Sequence, residues 1–304
     1  MYLAHFGLRE TPFGLTPNPA FFYPGNTRGD ILQALLYAVT HGEGIIKVTG
    51  EVGAGKTMLC RMLEQQLPDH IDVIYLVNPN LDPEQVQYAI AAELGLDGHG
   101  LRIDEIQRAM QADLIARHSR GRQVLLLVEE AQAMPLATLE AIRLLTNLET
   151  AHRKLLQIVL FGQPELDQHL ALNSMRQLRE RITHSFEVPA LPPALLDEFL
   201  RCRLQAAGHD GTRLFEAKAI ALIGAASEGI IRRINILADK ALLAAYADDA
   251  GTVQARHARQ AIAEAGFQRA RRPRPRWQAV AWGASGLLLI WAISSALLAA
   301  RGNL

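Results

Sequence analysis

Gly50-Glu51-Val52-Gly53-Ala54-Gly55-Lys56-Thr57 is the stretch on which the reading of the fold turns. It fits the spacing G-x-x-x-x-G-K-[ST]. At average residue frequencies that pattern arises by chance in roughly one chain of this length in a hundred. Its flanks agree with it: Ile45–Thr49 reads as a short buried strand and Thr57–Leu63 as a helix. Strand, glycine-rich turn and helix is the arrangement that phosphate binding requires. Glycines let the backbone wrap the anion, and the exposed N–H groups and the helix dipole hold it. Lys56 adds a positive charge, and the Thr57 hydroxyl is placed to ligate Mg²⁺. The nucleotide contacts expected are Gly50, Glu51, Val52, Gly53, Ala54, Gly55, Lys56, Thr57 and Met58, with ATP and Mg²⁺ as the bound species.

A second strand, Gln123–Val128, ends in Glu129-Glu130. Acids at the C-terminal end of a parallel strand point into the ligand crevice. Glu129 is expected on the metal, and Glu130 is expected to orient and deprotonate the attacking water. A third strand, Leu155–Phe161, is followed by Gly162-Gln163-Pro164. Gln163 would hydrogen-bond the γ-phosphate or the water there; the alternative is a plain turn residue. Arg176, Arg179 and Arg181 fall on a helix before a strand at Thr183–Val188. They are either solvated helix residues or side chains that reach a neighbouring subunit's nucleotide. Beyond Pro192-Pro193 the pattern becomes helical, over Leu195–Ala207, Phe215–Ala226, Ile230–Tyr246 and Val253–Ala265. These are expected to form a small lid from which Arg232 or Arg233 faces the nucleotide.

The composition bounds the class. In 304 residues, 49% are hydrophobic and two are cysteines, which excludes a disordered chain and a disulfide scaffold. The ten histidines show no metal-binding spacing. The formal net charge of zero is a cancellation. From Arg269 onward there are six arginines and no acids, so the rest carries 25 basic against 31 acidic side chains, a net of −6. Ala279 to Ala300 runs 22 residues without a charge, long enough as a helix of about 33 Å to span a bilayer core of about 30 Å. A buried C-terminal helix is the alternative. Five arginines between Arg269 and Arg276 precede the apolar run and only Arg301 follows it, which puts the N-terminal side in the cytoplasm. Those arginines would grip anionic lipid headgroups; the other reading makes them a nucleic-acid arm. The opening Met1-Tyr2-Leu3-Ala4-His5-Phe6 lacks the features of a signal peptide.

These residues together resemble a known family. The Gly50–Thr57 loop, the acidic strand end, Gly162–Leu166, Gln177–Ile182 and the run Gly229–Asn235 are similar to the ExeA/GspA-type AAA+ ATPases, as is the opening Phe6–Pro17. The stretches Phe13–Asn18, Thr146–Thr150 and Arg153–Asp167 resemble the branch that serves MSHA pilus biogenesis. The resemblance covers roughly residues 1–267. It implies an α/β fold: a P-loop AAA+ parallel sheet of order 5-1-4-3-2 with helices on both faces, then a small all-helical lid and one C-terminal transmembrane helix. The expected division is 1–192 for the nucleotide-binding domain with its N-terminal segment, 193–267 for the lid, 268–278 for a basic linker and 279–300 for the membrane helix. Lys56 and Thr57 become the Walker A pair, Gln163 the first sensor, Arg179 or Arg181 the arginine finger, and Arg232 the second sensor. The resemblance also implies a homo-oligomer, as a ring or a dimer, with shared nucleotide sites, at the inner membrane. Its partners would be pilus or type II secretion assembly proteins.

Three departures bear on this. The family usually has Asp-Glu where this chain has Glu129-Glu130, and a proline is common where Ile231 stands. The sequence ends four residues after Ala300, so no peptidoglycan-binding domain of the kind known beyond the membrane span of ExeA members is expected. Two other functions compete with a membrane-tethered ATPase. One is a DNA-handling AAA+ protein of transposition-helper type, against which the acidic body argues. The other is a nucleotide-gated scaffold that hydrolyses little, suggested by Glu129.

Overall fold

The computed structural model describes residues 2–41, 44–149, 154–209, 211 and 213–267. The expected linker at 268–278 and membrane helix at 279–300 lie outside the described residues. Among the described residues, no helix is long and apolar enough to cross a membrane. Met1–Gly266 forms one compact unit.

Five strands make a single parallel sheet: β1 (Ile45–Thr49), β2 (Ile71–Leu76), β3 (Gln123–Val128), β4 (Leu156–Gly162) and β5 (Ile182–Glu187). Their order is β2-β3-β4-β1-β5, the order expected from the resemblance. β1 and β3 have the bounds read from sequence, while β4 and β5 are each displaced by one residue. The strands at the centre read as unbroken apolar runs because both faces are covered. Successive residues prove it: Val124, Leu126 and Val128 enter one core cluster, and Leu125 and Leu127 enter the other.

The first cluster is closed by α4 (Pro83–Glu93), α5 (Ile103–Ser119), α6 (Leu136–Leu145), α7 (Glu165–Ala171) and α8 (Arg176–Arg181). The second is closed by α2 (Arg28–His41) and α3 (Lys56–Gln66). Local chemistry fixes the starts of these helices. Asp82 accepts from the N–H groups of Glu84 and Gln85, the Gln85 side chain returns a bond to Asp82 N–H, and Pro83 holds the first helical position. At the sheet edge Asp72 on β2 is clamped by Arg117 on α5 (2.9 Å) and by Arg122 beside β3. The Arg122 bonds, with those of Arg117, outweigh burial and hold the Asp72 carboxyl below the usual carboxylate range.

Four helices follow the sheet: α9 (Leu196–Ala206), α10 (Ala217–Ser227), α11 (Ile231–Ala247) and α12 (Ala255–Ala265). They pack mainly on one another. The N-terminal segment, grouped by sequence with the nucleotide-binding domain, packs on these helices as well as on α3. It opens with α1 (Tyr2–His5), which lies against α11. Tyr2 Oη donates to Asp239 (2.6 Å), Arg9 N–H to Ala207 O (2.8 Å), and Arg203 Nε to Pro12 O (2.6 Å). Phe13 meets Phe215, and Tyr23 meets Phe199, both edge to face. The chain therefore passes between the helical layer and the sheet layer twice, at Asn26–Thr27 and at Pro189–Ala190. Asn26 Nδ2 donates to Ala190 O across the two crossings (3.0 Å). Asn26 and Thr27 have φ of 53° and 65°, the left-handed region that a β-branched residue seldom adopts.

Candidate functional site

The strand order decides what meets at the C-terminal edge of the sheet. Because β4 lies between β3 and β1, the loops after these three strands are neighbours. They carry Glu129 and Glu130, Gln163, and the Gly50–Thr57 turn. This is the edge at which open parallel sheets bind ligands.

The turn after β1 runs into α3 with Gly53 at φ 78° and Gly55 at φ 104°. A Cβ on Gly53 would lie 2.6 Å from Arg232 Cβ, so only glycine lets α11 approach. Arg232 N–H donates to Gly53 O (3.0 Å), joining the helical layer to the turn. Lys56 is buried at 7% exposure, and its Nζ donates to the carbonyls of Gly50 (2.8 Å) and Glu51 (3.1 Å). Burial pushes the Lys56 ammonium below its ordinary range, and nearby acids, Glu130 foremost, act against that. Thr57 Oγ1 donates to Glu129 Oε2 (2.8 Å). The hydroxyl and carboxylate expected on the metal are thus side by side, and hard oxygen donors of this kind suit Mg²⁺.

Glu130 follows in the left-handed conformation (φ 53°) and caps a short 3-10 turn, Ala131–Ala133. Its Oε2 accepts from Gln132 Nε2 (2.6 Å) and Gln163 Nε2 (2.9 Å). Burial raises the pKa of the Glu130 carboxyl, but the two amide bonds and the charge of Lys56 lower it further, so it stays ionised below the usual range. The Gln163 side chain thus reaches across to Glu130.

A cavity of about 310 Å³ opens beside the turn, at the small end of the range of ligand sites (about 300–1,000 Å³). Most of its walls come from three places, with Arg28 on α2 and Glu130 after β3 beside them. The turn and α3 supply Gly53, Lys56 and Thr57; the N-terminal segment supplies Leu15, Pro17 and Phe22; α9 and α11 supply Arg203, Arg232 and Asn235. Arg232 lines the cavity, while Arg233 pairs with Glu228 (2.8 Å). Asn235 Oδ1 is buried without a hydrogen-bond partner, as is Arg28 Nη1. Buried polar groups seldom stay unpaired, so a ligand with its own donors and acceptors fits this cavity. Arg28 and Arg203 are buried cations bonded to carbonyls: Arg28 Nη2 to Pro189 O (2.9 Å) and Ala54 O (3.3 Å), Arg203 to Pro12 O and Gly14 O. Burial pushes the Arg203 guanidinium down to about 10.

Sequence reading missed Arg28, Arg203, Asn235 and Gln132. Asn235 stood in the quoted Gly229–Asn235 run, and the wall at Gly14–Pro17 in the quoted opening segment. The others carry no local signature, because their partners are distant in sequence.

Arg176, Arg179 and Arg181 are placed elsewhere. Arg181 directly precedes β5, whose first residue pairs with Ile45, the first of β1. The turn that holds Lys56 lies at the other end of β1, about 16 Å away at about 3.3 Å per residue. Arg176 pairs with Glu180, Arg179 Nη1 donates to Leu170 O (3.3 Å), and Arg181 Nη2 donates to Asn147 Oδ1 (3.0 Å). None of the three joins the site of its own chain.

Comparison with known proteins adds the following. Residues 39–170 match the family model of an AAA domain. General secretion pathway protein A of Aeromonas hydrophila is 42% identical over 252 residues, covering 81% of this chain and 45% of the relative. The chain thus spans less than half of that relative's length. Among solved structures, the Aeropyrum pernix ORC2 protein in ADPNP–ADP complexes superposes with a TM-score of 0.63 at 16% identity, over 84% of this chain and 71% of that one. The Aeropyrum pernix ORC1 protein in complex with DNA gives 0.61 at 20% identity, over 85% and 70%. Cdc6p of Pyrobaculum aerophilum gives 0.62 at 14%, over 83% and 70%. At these identities the likeness concerns the fold.

Proposed function

The chain belongs to the ExeA/GspA-type family of AAA ATPases, and from that premise we propose that it binds ATP with Mg²⁺ and hydrolyses it at the C-terminal edge of its sheet. One observation carries the reading: the phosphate-binding turn, the Thr57–Glu129 pair and the Glu130–Gln163 pair lie on three neighbouring strand ends. In this reading the N–H groups of Gly50–Met58 and the Lys56 ammonium hold the phosphates. Lys56 exchanges its two carbonyl acceptors for phosphate oxygens. Thr57 and Glu129 hold Mg²⁺, which supplies charge neutralisation to the phosphates. Glu130, kept ionised, takes a proton from the attacking water, and Gln163 and Arg232 contact the γ-phosphate. The cavity beside Asn235 and Phe22 receives the base.

The arginines on α8, too far from their own site, act on the nucleotide of an adjacent copy in a homo-oligomer, Arg179 or Arg181 being the finger. Residues 279–300 tether the chain to the inner membrane with its body in the cytoplasm, and the arginines of 269–276 lie against the lipid headgroups. Its work is the assembly of a type II secretion machinery or an MSHA-like pilus, supported by the relative's name and by the quoted stretches at 13–18 and 146–167.

The test is nucleotide binding and turnover by two variants. Lys56→Ala is expected to abolish ATP binding. Glu130→Gln is expected to keep binding and stop turnover. Retained binding by Lys56→Ala would sink the proposed site, and an unchanged rate in Glu130→Gln would remove the assigned base.

A further inference from the structure

Gln132 has no part in the roles set out above, yet both halves of its side-chain amide are in use. Its Nε2 donates to Glu130 Oε2 (2.6 Å), and its Oε1 accepts the main-chain N–H of Gln163 (2.9 Å). Gln163 Nε2 donates to the same Glu130 oxygen (2.9 Å). The three bonds close a ring between the loop after β3 and the loop after β4. A main-chain N–H can only donate, so the carbonyl half of Gln132 must face it, and the orientation of the whole amide follows. Gly162 leaves room chiefly for Leu166, whose Cδ2 a Cβ there would meet at 2.8 Å, with Gln132 Oε1 at 3.4 Å.

The two donors on Glu130 are not equivalent. One belongs to the Gln163 side chain, which must let go of Glu130 to reach a γ-phosphate. The other belongs to Gln132, whose own anchor is the Gln163 main chain and does not depend on where the Gln163 side chain points. We propose that Gln132 is the positioning residue of Glu130, holding the carboxylate in place whichever way Gln163 turns. This rests on the hydrolytic reading given above. Without Gln132, release of Gln163 would leave Glu130 free to rotate about its side-chain bonds at the moment a fixed base is needed.

Gln132→Met tests the assignment, because methionine keeps the length and volume but neither donates nor accepts such bonds. The full chain is assayed for single-turnover ATP hydrolysis, for equilibrium binding of a non-hydrolysable ATP analogue, and for thermal unfolding. The rate is expected to fall roughly 10–100-fold, the scale of a misplaced reacting group. The analogue's Kd should stay within about twofold, since the phosphates are held by other residues. Gln132→Asn, one methylene too short to span both partners, carries the same expectation and serves if the methionine variant fails to fold. An unchanged or raised rate overturns the proposal. So does a fall matched by an equal loss of affinity, which would mark a structural role. A wild type that binds but never turns over removes the hydrolytic reading and this inference with it. Turnover that both variants leave intact removes this inference alone.

Discussion

Glu129 carries one methylene more than the aspartate usual at its position in the family, and the structure shows where the extra length goes. The carboxylate reaches the Thr57 hydroxyl directly at 2.8 Å. An aspartate would draw the carboxylate back by one methylene and change where the metal is held between it and Thr57. Glu129→Asp is therefore expected to raise turnover, by up to roughly tenfold or about 1.4 kcal/mol of barrier, with ATP affinity little changed. A rate that stays level or falls would show that Glu129 is not a brake. The residues of this site divide by how they are encoded. Gly53, Gly55, Lys56 and Thr57 were legible in sequence because a local backbone shape demands them at fixed spacing. Glu130 and Gln163 were legible because each ends an apolar strand. Gln132 was not, because its partner Gln163 is 31 positions away and nothing in an Ala-Gln-Ala run announces it.

Among the elements, β1, β3 and β4 were read to within a residue, since a fully buried strand is a short apolar run with few alternatives; β5 was placed as closely, while β2, half-buried at the sheet edge, was not located. Sequence grouped the N-terminal segment with the nucleotide-binding domain and gave no sign of what it packs on. Its buried aromatics, Phe6, Phe13, Phe21 and Tyr23, show only that it has a partner, and the partner begins at Leu196. Arg203 is the link. It is 5% exposed, bonded to Pro12 O and Gly14 O, and stacked over Phe21. Arg203→Met keeps the stem but loses the bonds, each worth about 1.5–3 kcal/mol for a charged donor. The variant is expected to unfold at lower temperature and to release nucleotide faster, because the cavity wall at Leu15–Phe22 loses its tie. Release as slow as the wild type would deny that wall a role. The edge strand β2 offers a pH test. The Asp72 carboxyl titrates below its unfolded value, so its contribution is full above the ordinary carboxylate range and is lost as the pH falls through the folded value. Asp72→Asn should cost about 1.5–3 kcal/mol near neutrality, with the gap from wild type closing below about pH 3 to 4. A gap that persists in acid would mean that the clamp is not ionic.

At the scale of the whole molecule, the arginines of α8 make a prediction that no single chain can satisfy. If Arg181 acts on a neighbour, Arg181→Ala and Lys56→Ala should each be inactive alone. Mixed, they should regain part of the wild-type rate, because some interfaces then pair an intact Lys56 with an intact arginine. No recovery on mixing would argue for a different finger, and Arg179→Ala is then the variant to mix. The two crossings at Asn26–Thr27 and Pro189–Ala190 have a consequence of another kind, in time. Residues 2–23 are made well before the helices that bury Tyr2, Phe6, Leu8 and Phe13, which begin only at Leu196. At about 5–20 residues per second, the intervening stretch takes on the order of ten to forty seconds to synthesise. By the end of that interval every strand of the sheet layer has been made, while the opening segment, apolar, still waits for its partner. Here residues made early are among the last to find their place.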